Sequence, residues 1–181
     1  SVMIHPYWDM ALLEVEGLPA NAQPLRLSLR DIPADSMVEV AAIGYPAFDS
    51  RNDRDVQNDL FRRAFGVKRL QPGTFGGRQR TESFGKMVEA SRHNCSTLGG
   101  NSGSALIDLL SGEVMALHFG GRYRDINYGV PAFELARDQR VVDAGVTFAS
   151  PGASGGRPEW EDWWSQVGES TRDPVSGRGT P

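Results

Sequence analysis

Short apolar runs separated by glycine and proline make up most of this chain. Within each run the apolar positions alternate or cluster over a few residues, as in strands, and do not follow the 3.6-residue period of a long helix. Strands are therefore predicted in six segments: 10–18, 37–48, 66–77, 86–95, 104–119 and 126–133. The segment 104–119 is predicted to form two strands around a turn at Ser111 and Gly112. This pattern predicts an all-β fold of antiparallel strands.

Two connecting segments differ in composition from these runs. Residues 49–65 are rich in charged side chains, which predicts a surface loop that holds one or two helical turns. Residues 21–36 contain prolines and alternate Leu25, Leu27 and Leu29 with polar residues. This alternation predicts an extended linker between two structural units.

The last part of the chain is predicted to contain a helix followed by a tail. Residues 134–146 have the spacing of a short amphipathic helix that ends at Gly145. Its buried side is predicted to contain Leu135, Val141 and Val142. From residue 151 the composition shifts to Gly, Ser, Pro and Arg around the sequence EWEDWW. We therefore predict a flexible tail over 149–181 with a Trp-rich docking patch, or the start of a further domain.

Composition and charge narrow the classes of function. The 181 residues contain 39% hydrophobic residues, with 21 glycines and 11 prolines, and carry a formal charge of −4. This charge argues against a nucleic-acid-binding surface, and no apolar run approaches the roughly 20 residues of a membrane span. A single cysteine, Cys95, excludes an intrachain disulfide and a multi-cysteine zinc site, and it indicates no compartment. We predict neither a metal nor a cofactor.

Residues 99–105, GGNSGSA, surround one serine with three glycines. A phosphate-binding loop would need a lysine after its second glycine, and this segment has none. A simple tight turn would need only one or two glycines. The third use of such a loop is to expose a nucleophilic serine while backbone N–H groups turn toward the oxygen of an attacked carbonyl. In that interpretation Ser102 is the nucleophile, and the N–H groups of Gly100 and Ser102 form an oxyanion hole.

The sequences GGNSGSAL, ALHFGG and HPYWDMALLEV resemble segments of chymotrypsin-fold serine peptidases, and most of all the bacterial trypsin-like peptidases related to glutamyl endopeptidases. The resemblance extends over about residues 3–148 and implies two antiparallel β-barrels with the active site between them. It implies that 1–20 is a remnant of the first barrel, 21–36 the linker, and 37–148 a nearly complete second barrel with its closing helix.

The resemblance also assigns an acid and leaves the base unassigned. Asp9 corresponds to the acid that orients a catalytic histidine, although it could instead cap a strand. Asn101 stands where digestive enzymes of the fold carry an Asp that pairs with a new N-terminus, so activation by that ion pair is not expected. The catalytic histidine of the family precedes the acid, so we expect it upstream of Ser1. The chain then represents an N-terminally truncated protein and is inactive alone.

The three histidines of the chain are predicted to have other roles. His5 and Asp9 would lie about 13 Å apart in an extended chain, too far for Asp9 to hold the ring, so a local role at a strand end is expected. His93 is interpreted as a polar strand position. Hairpin geometry places His118 opposite Ala105 and about 10 Å from Ser102, which suits a pocket wall and not a general base.

The resemblance further implies a substrate pocket. Ser96 takes the position at the pocket base and is neutral, so cleavage after Lys or Arg is not expected. Thr97 and His118 match residues that bind the substrate carboxylate in glutamyl endopeptidases, which implies cleavage after Glu, or after Asp. The same residues occur in relatives of other preference, and that alternative stays open. Phe119, Gly120 and Gly121 would pair with the backbone of a polypeptide substrate as an added strand.

Two other functions remain open from the sequence. The domain could be a non-catalytic module that binds peptides, although the intact Ser102 and Asp9 argue against it. It could also be one module of a larger multidomain protein. We further expect the remnant to expose the apolar side chains of Leu12, Leu13 and Val15 and to favour aggregation of the isolated chain.

Overall fold

The computed structural model describes residues 2–122 and 124–149. In these residues the chain forms eight strands and three short helices. They are β1 (Val2–Ile4), β2 (Ala11–Leu13), β3 (Met37–Gly44), α1 (Arg54–Phe61), β4 (Arg69–Ser83), β5 (Lys86–His93), β6 (Ala105–Asp108), β7 (Val114–Arg122), β8 (Ile126–Pro131), α2 (Ala132–Leu135) and α3 (Gln139–Asp143). The predicted all-β class is confirmed. The predicted tail and its Trp-rich patch lie outside the described residues.

Strands β3 to β8 form a closed antiparallel barrel in the order β3, β4, β5, β8, β7, β6, because β6 pairs back with β3. One cluster of buried residues belongs to this barrel and to the segment before β3. It contains Ile32, Val40, Ala42, Phe75, Cys95, Leu106, Met115 and Ala116. Closure leaves the barrel without free strand edges, so loops at its ends can carry functional groups on a rigid support.

The β6–β7 hairpin brings the glycine-rich loop beside β7. The N–H of Gly103 donates to the carbonyl of His118, and the N–H of His118 donates to that of Ser104. Leu117 and not His118 is opposite Ala105, so the predicted register is wrong by one residue. The turn is longer than two residues, since the N–H of Asp108 bonds across it to Glu113, and a bulge follows Leu106.

The predicted helical turns in 49–65 are present as α1. The Asp53 carboxylate caps this helix by accepting hydrogen bonds from the N–H groups of Asp55 and Val56. Gln57 and Phe61 are its buried residues. The helix therefore fixes residues 49–53, the segment that precedes it.

The single helix predicted over 134–146 is wrong, because the structure has two short helices there, α2 and α3. Asp138 separates them: its carboxylate accepts a hydrogen bond from the N–H of Arg140 and caps α3. Leu135 and Val141 are buried as predicted, whereas Val142 is 39% exposed.

The first residues pack tightly against the barrel. Tyr7, Trp8 and Met10 are buried in a second cluster together with residues of β5, β8 and the two C-terminal helices. The chain turns sharply between His5 and Met10, since the N–H of His5 donates to the carbonyl of Met10. The extended conformation assumed for this segment is therefore wrong.

His5 holds this turn from inside. Its Nδ1 accepts hydrogen bonds from the N–H groups of Tyr7 and Trp8, and its Nε2 lies 3.0 Å from a carboxylate oxygen of Asp138. Both side chains are almost completely buried. The predicted local role of His5 is thus accompanied by a long-range contact that joins the N-terminal segment to α3.

The predicted apolar exposure is only partly correct. Leu13 is 66% and Val15 60% exposed, as expected, but Leu12 packs against the second cluster. The segment 21–36, predicted as a linker, is hydrogen-bonded to its surroundings: the N–H of Leu27 donates to the carbonyl of Thr147 and that of Ser28 to the carbonyl of Val114. In the described part of the chain, no helix has the length and apolar character to span a membrane.

Candidate active site

Ser102 lies exposed in the loop between β5 and β6. Its hydroxyl donates a weak hydrogen bond of 3.4 Å to the carbonyl of Phe119. Gly100 and Gly103 on either side have φ angles of +88° and +85°, a conformation that favours glycine. The loop thus turns twice around the serine, as its three glycines predict.

The backbone N–H groups of this loop fall into two sets. Asn101 donates to the carbonyl of Leu98, and Gly103 donates to His118. The N–H groups of Gly100 and Ser102 have no hydrogen-bond partner among the described residues. These are the two groups predicted to form an oxyanion hole, and in this structure neither is used to hold the fold.

A buried amide pair fixes the loop to the barrel. The Asn101 side chain is fully buried, its Oδ1 accepts from Gln71 Nε2 at 2.9 Å, and its Nδ2 donates to Gln71 Oε1 at 3.2 Å. The same Nδ2 group lies 3.2 Å from the carbonyl of Leu98. Neutral partners therefore satisfy Asn101, and the carboxamide pair connects the serine loop to β4.

Two glycines allow this close packing. A Cβ atom on Gly44, at the end of β3, would lie 1.9 Å from the Ser104 hydroxyl oxygen and 2.6 Å from Asn101 Oδ1. A Cβ atom on Gly100 would lie 2.6 Å from the carbonyl oxygen of Tyr45. Any larger residue at either position would push the loop away from β3.

A cleft of about 420 Å³ opens beside Ser102. Five further predicted site residues line it together with the serine: Thr97, His118, Phe119, Gly120 and Gly121. Its other walls are formed by Asp49, Arg51, Asn52, Leu98, Gly99, Arg122 and Asn127. The structure thus brings most of the predicted pocket together around the serine.

Three predicted site residues are not among those that line this cleft: Gly100, Ser96 and Asp9. Ser96 is exposed and lines a neighbouring cleft that shares Thr97 and Asn127 with the first one, and its place at the base of the pocket stays a prediction. Asp9 lies on the N-terminal segment, partly buried, and has no hydrogen-bond or ion-pair partner in the described part of the chain. Burial raises the pKa of its carboxyl above the ordinary value.

His118 contacts a second histidine, His93, and the sequence did not predict this contact. Its Nδ1 lies 3.0 Å from Nε2 of His93, and both rings are buried. Burial lowers the pKa of His118 to about 4, and burial together with the neighbouring ring lowers that of His93 to about 3. Both rings are therefore neutral near pH 7. Nδ1 of His118 faces His93, and a hydrogen bond to the Tyr128 backbone raises the His118 pKa against the larger effect of burial.

Thr97 is held by a short chain of hydrogen bonds. Its hydroxyl donates to Asn127 Oδ1 at 2.9 Å, and Asn127 Nδ2 donates to the carbonyl of Cys95 at 2.8 Å. A carboxylate in the cleft would have to compete with Asn127 for the Thr97 proton. Among residues 2–122 and 124–149 no group of His, Cys, Asp and Glu is arranged to hold a metal ion.

Sequence reasoning missed His93, Gln71, Asn127 and the Asp49–Arg51 pair as parts of the site. Alternation gave no signal for His93, because every second residue of a strand lies on the same face and this places His93 with the polar Ser91 and Glu89, opposite the buried Val88 and Ala90. For the others the partner lies too far along the sequence to be found by spacing.

Comparison with known proteins gives consistent results. The family model described as a trypsin-like peptidase domain matches residues 2–117. A probable serine protease of Lysobacter enzymogenes is 35% identical over 149 residues, which are 75% of this chain and 38% of that protein. The Rv3671c protease of M. tuberculosis, in its inactive form, has a similar fold, with a TM-score of 0.53 and 24% identity over 75% of this chain and 62% of that chain. The chain thus spans less than two thirds of either relative.

The Gln71–Asn101 pair makes a prediction for stability. In Gln71→Leu the buried Asn101 amide loses both hydrogen bonds to Gln71, so the free energy of unfolding should fall by about 1–3 kcal/mol. Urea unfolding followed by circular dichroism measures this change. Gln79→Leu, a half-buried position on the same strand, is the matched control and should change stability by about 0.5 kcal/mol or less. Equal effects of the two substitutions would show that the pair is not a stabilising contact.

Proposed function

The chain belongs to the trypsin-like peptidase domain family, and we propose that it is the nucleophile-bearing part of a serine endopeptidase. The observation that carries the proposal is the loop around Ser102, where an exposed hydroxyl stands next to two unused N–H groups at the edge of a cleft. A polypeptide is the substrate that membership of this family implies.

In the proposed reaction the Ser102 Oγ attacks the carbonyl carbon of the scissile peptide bond. Its proton passes to a histidine base, and the carbonyl oxygen becomes an anion that accepts hydrogen bonds from the N–H groups of Gly100 and Ser102. The C–N bond then breaks as the protonated histidine gives its proton to the leaving amine. Water hydrolyses the resulting ester with the same histidine as base, which restores the serine hydroxyl.

The histidine base is proposed to come from a part of the protein outside these 181 residues. His5 is held by Asp138, and His93 and His118 hold each other, so each of the three is engaged elsewhere. Asp9 is proposed as the acid that orients the base. Its carboxylate is partly buried and unpaired among the described residues, and an imidazolium beside it would offset the cost of that burial.

We propose that the substrate residue before the scissile bond is Glu, bound by His118 and Thr97. The His118 ring and the Thr97 hydroxyl both lie on the walls of the cleft, and they would donate to a substrate carboxylate once Thr97 exchanges its bond to Asn127. A carboxylate there would favour the imidazolium form of His118 and raise the pKa of this histidine above its value in the free protein. His93 keeps the His118 ring oriented from behind.

Cleavage of peptides by the full-length protein that contains this chain tests the proposal. Mass spectrometry of peptides with varied residues before the scissile bond should show cleavage after Glu, and Ser102→Ala should lower kcat/KM at least about a thousandfold. Ser111→Ala, in the β6–β7 turn, is the matched control and should retain activity. Peptide binding without cleavage would instead support the non-catalytic module.

The pKa of His118 makes a prediction for pH dependence. The free ring has a pKa of about 4 and the carboxylate-bound ring a higher one, so between these values the binding of Glu takes up a proton. The ratio of kcat/KM for a Glu peptide to that for its Gln analogue should therefore rise as pH falls from 8 to 6, by about three- to tenfold. The ratio removes the titration of the catalytic base, which affects both peptides equally.

His118→Gln is the variant that checks the origin of this pH dependence. It keeps a donor in the cleft but cannot take up a proton, so its ratio should be lower and independent of pH. A wild-type ratio that does not change with pH, or equal cleavage after Glu and Gln, would contradict the proposed recognition.

A further inference from the structure

The wall of the cleft formed by residues 49–52 carries an arginine held in one orientation. Arg51 donates from Nε to Asp49 Oδ1 at 2.8 Å and from Nη2 to Asp49 Oδ2 at 2.6 Å. Asp49 is nearly buried, with 11% of its side chain exposed, whereas the Arg51 side chain is 83% exposed. The two-point contact fixes the plane of the guanidinium and leaves its remaining N–H groups for another acceptor.

The backbone of Asp49, whose carboxylate holds Arg51, is fixed by a buried glutamine. The Gln57 side chain accepts from the N–H of Asp49 at 2.9 Å and donates to the carbonyls of Asp49 and Asn52 at 2.9 and 3.1 Å. Gln57 is 1% exposed. A single amide on α1 thus closes the loop that presents Arg51, so the arginine stands on a rigid support despite its exposure.

The same wall adjoins the serine loop. The N–H of Ala47 donates to the carbonyl of Gly99 at 2.7 Å, and a Cβ on Gly99 would lie 3.3 Å from Asp49 Oδ2. Gly99 directly precedes Gly100, whose N–H is proposed to bind the oxygen of the attacked carbonyl. Arg51 therefore enters the cleft from the segment packed behind this N–H group, and not from β7.

We propose that Arg51 binds an acidic side chain of the substrate on the leaving-group side of the scissile bond. This inference rests on the proposed peptidase function. Residues 119–121 of β7 are proposed to pair with the substrate before the scissile bond. The carbonyl of the scissile bond is proposed to be bound by the N–H of Gly100. The part of the substrate after the scissile bond then continues past Gly100, along the wall that carries Arg51. A carboxylate within reach of this guanidinium forms a charge-assisted hydrogen bond.

The other charged groups that line the cleft are consistent with this direction of the bound peptide. The charge of Asp49 is compensated by Arg51, which also holds the pKa of this carboxyl at about 2. Arg122 is the second arginine on the cleft, and it lies on β7 next to Gly121. The two arginines thus mark opposite directions along the substrate, and their substitution should affect different substrate positions.

Peptide pairs that differ only in Glu or Gln at the first two positions after the scissile bond test this inference in the full-length protein. Arg51→Gln should lower the ratio of kcat/KM for the Glu peptide to that for the Gln peptide by about two- to fivefold, as expected for one solvent-exposed ion pair. The wild-type ratio should also shrink at high salt. Arg54→Gln is the matched control, because Arg54 is 76% exposed, pairs with Asp55 and lies outside the cleft.

Binding separates a failure of this inference from a failure of the proposed reaction. The dissociation constants of the same peptides with the Ser102→Ala protein need no catalysis, and Arg51→Gln in that background should reduce the preference for Glu by the same factor. An unchanged preference, or an equal loss in Arg122→Gln, would overturn the inference even in a protein that cleaves peptides. A protein that shows the Arg51-dependent preference but cleaves nothing would retain the inference and overturn the reaction.

Discussion

The buried amide pair between Asn101 and Gln71 is the contact on which the rest of the site depends. It joins the loop of Ser102 to β4, while Gly44 provides the space in which Asn101 and Ser104 lie against β3. A fully buried carboxamide must have its hydrogen bonds satisfied, so the loop has few other positions open to it. With Asn101 fixed, its neighbours on either side can leave their N–H groups unpaired without a loss of order.

The polar side chains of the cleft are held in the same manner, each by a second polar group behind it. His93 lies behind His118, Asn127 behind Thr97, and Asp49 behind Arg51. Such pairs orient donors before a substrate arrives, which lowers the entropy that binding would otherwise cost. Burial disfavours the charged form of both histidines, which makes them neutral near pH 7; in the proposed recognition a substrate carboxylate would compensate the charge of His118.

Local patterns in the sequence predicted the barrel strands, the α1 turns and the serine loop, because these depend on alternation and on glycine, whereas the predicted residues of the cleft came from the resemblance to peptidases. Local patterns failed where a distant partner decides the structure. Asp138 divides the expected helix because its carboxylate caps α3 and also binds His5, 133 residues away. The turn at His5 likewise depends on that contact. The pairs that support the cleft require the strand register of the closed barrel, which spacing alone does not provide.

Labelling of the full-length protein with a fluorophosphonate, followed by tryptic digestion and tandem mass spectrometry, tests the central role of Ser102 most directly. Trypsin releases residues 93–122 as one peptide, which also contains Ser96, Ser104 and Ser111 as internal controls. We predict a single adduct on Ser102 in the full-length protein and little or none in the 181-residue chain, where the proposed base is missing. An adduct on another serine, or none in a protein that cleaves peptides, would contradict the account.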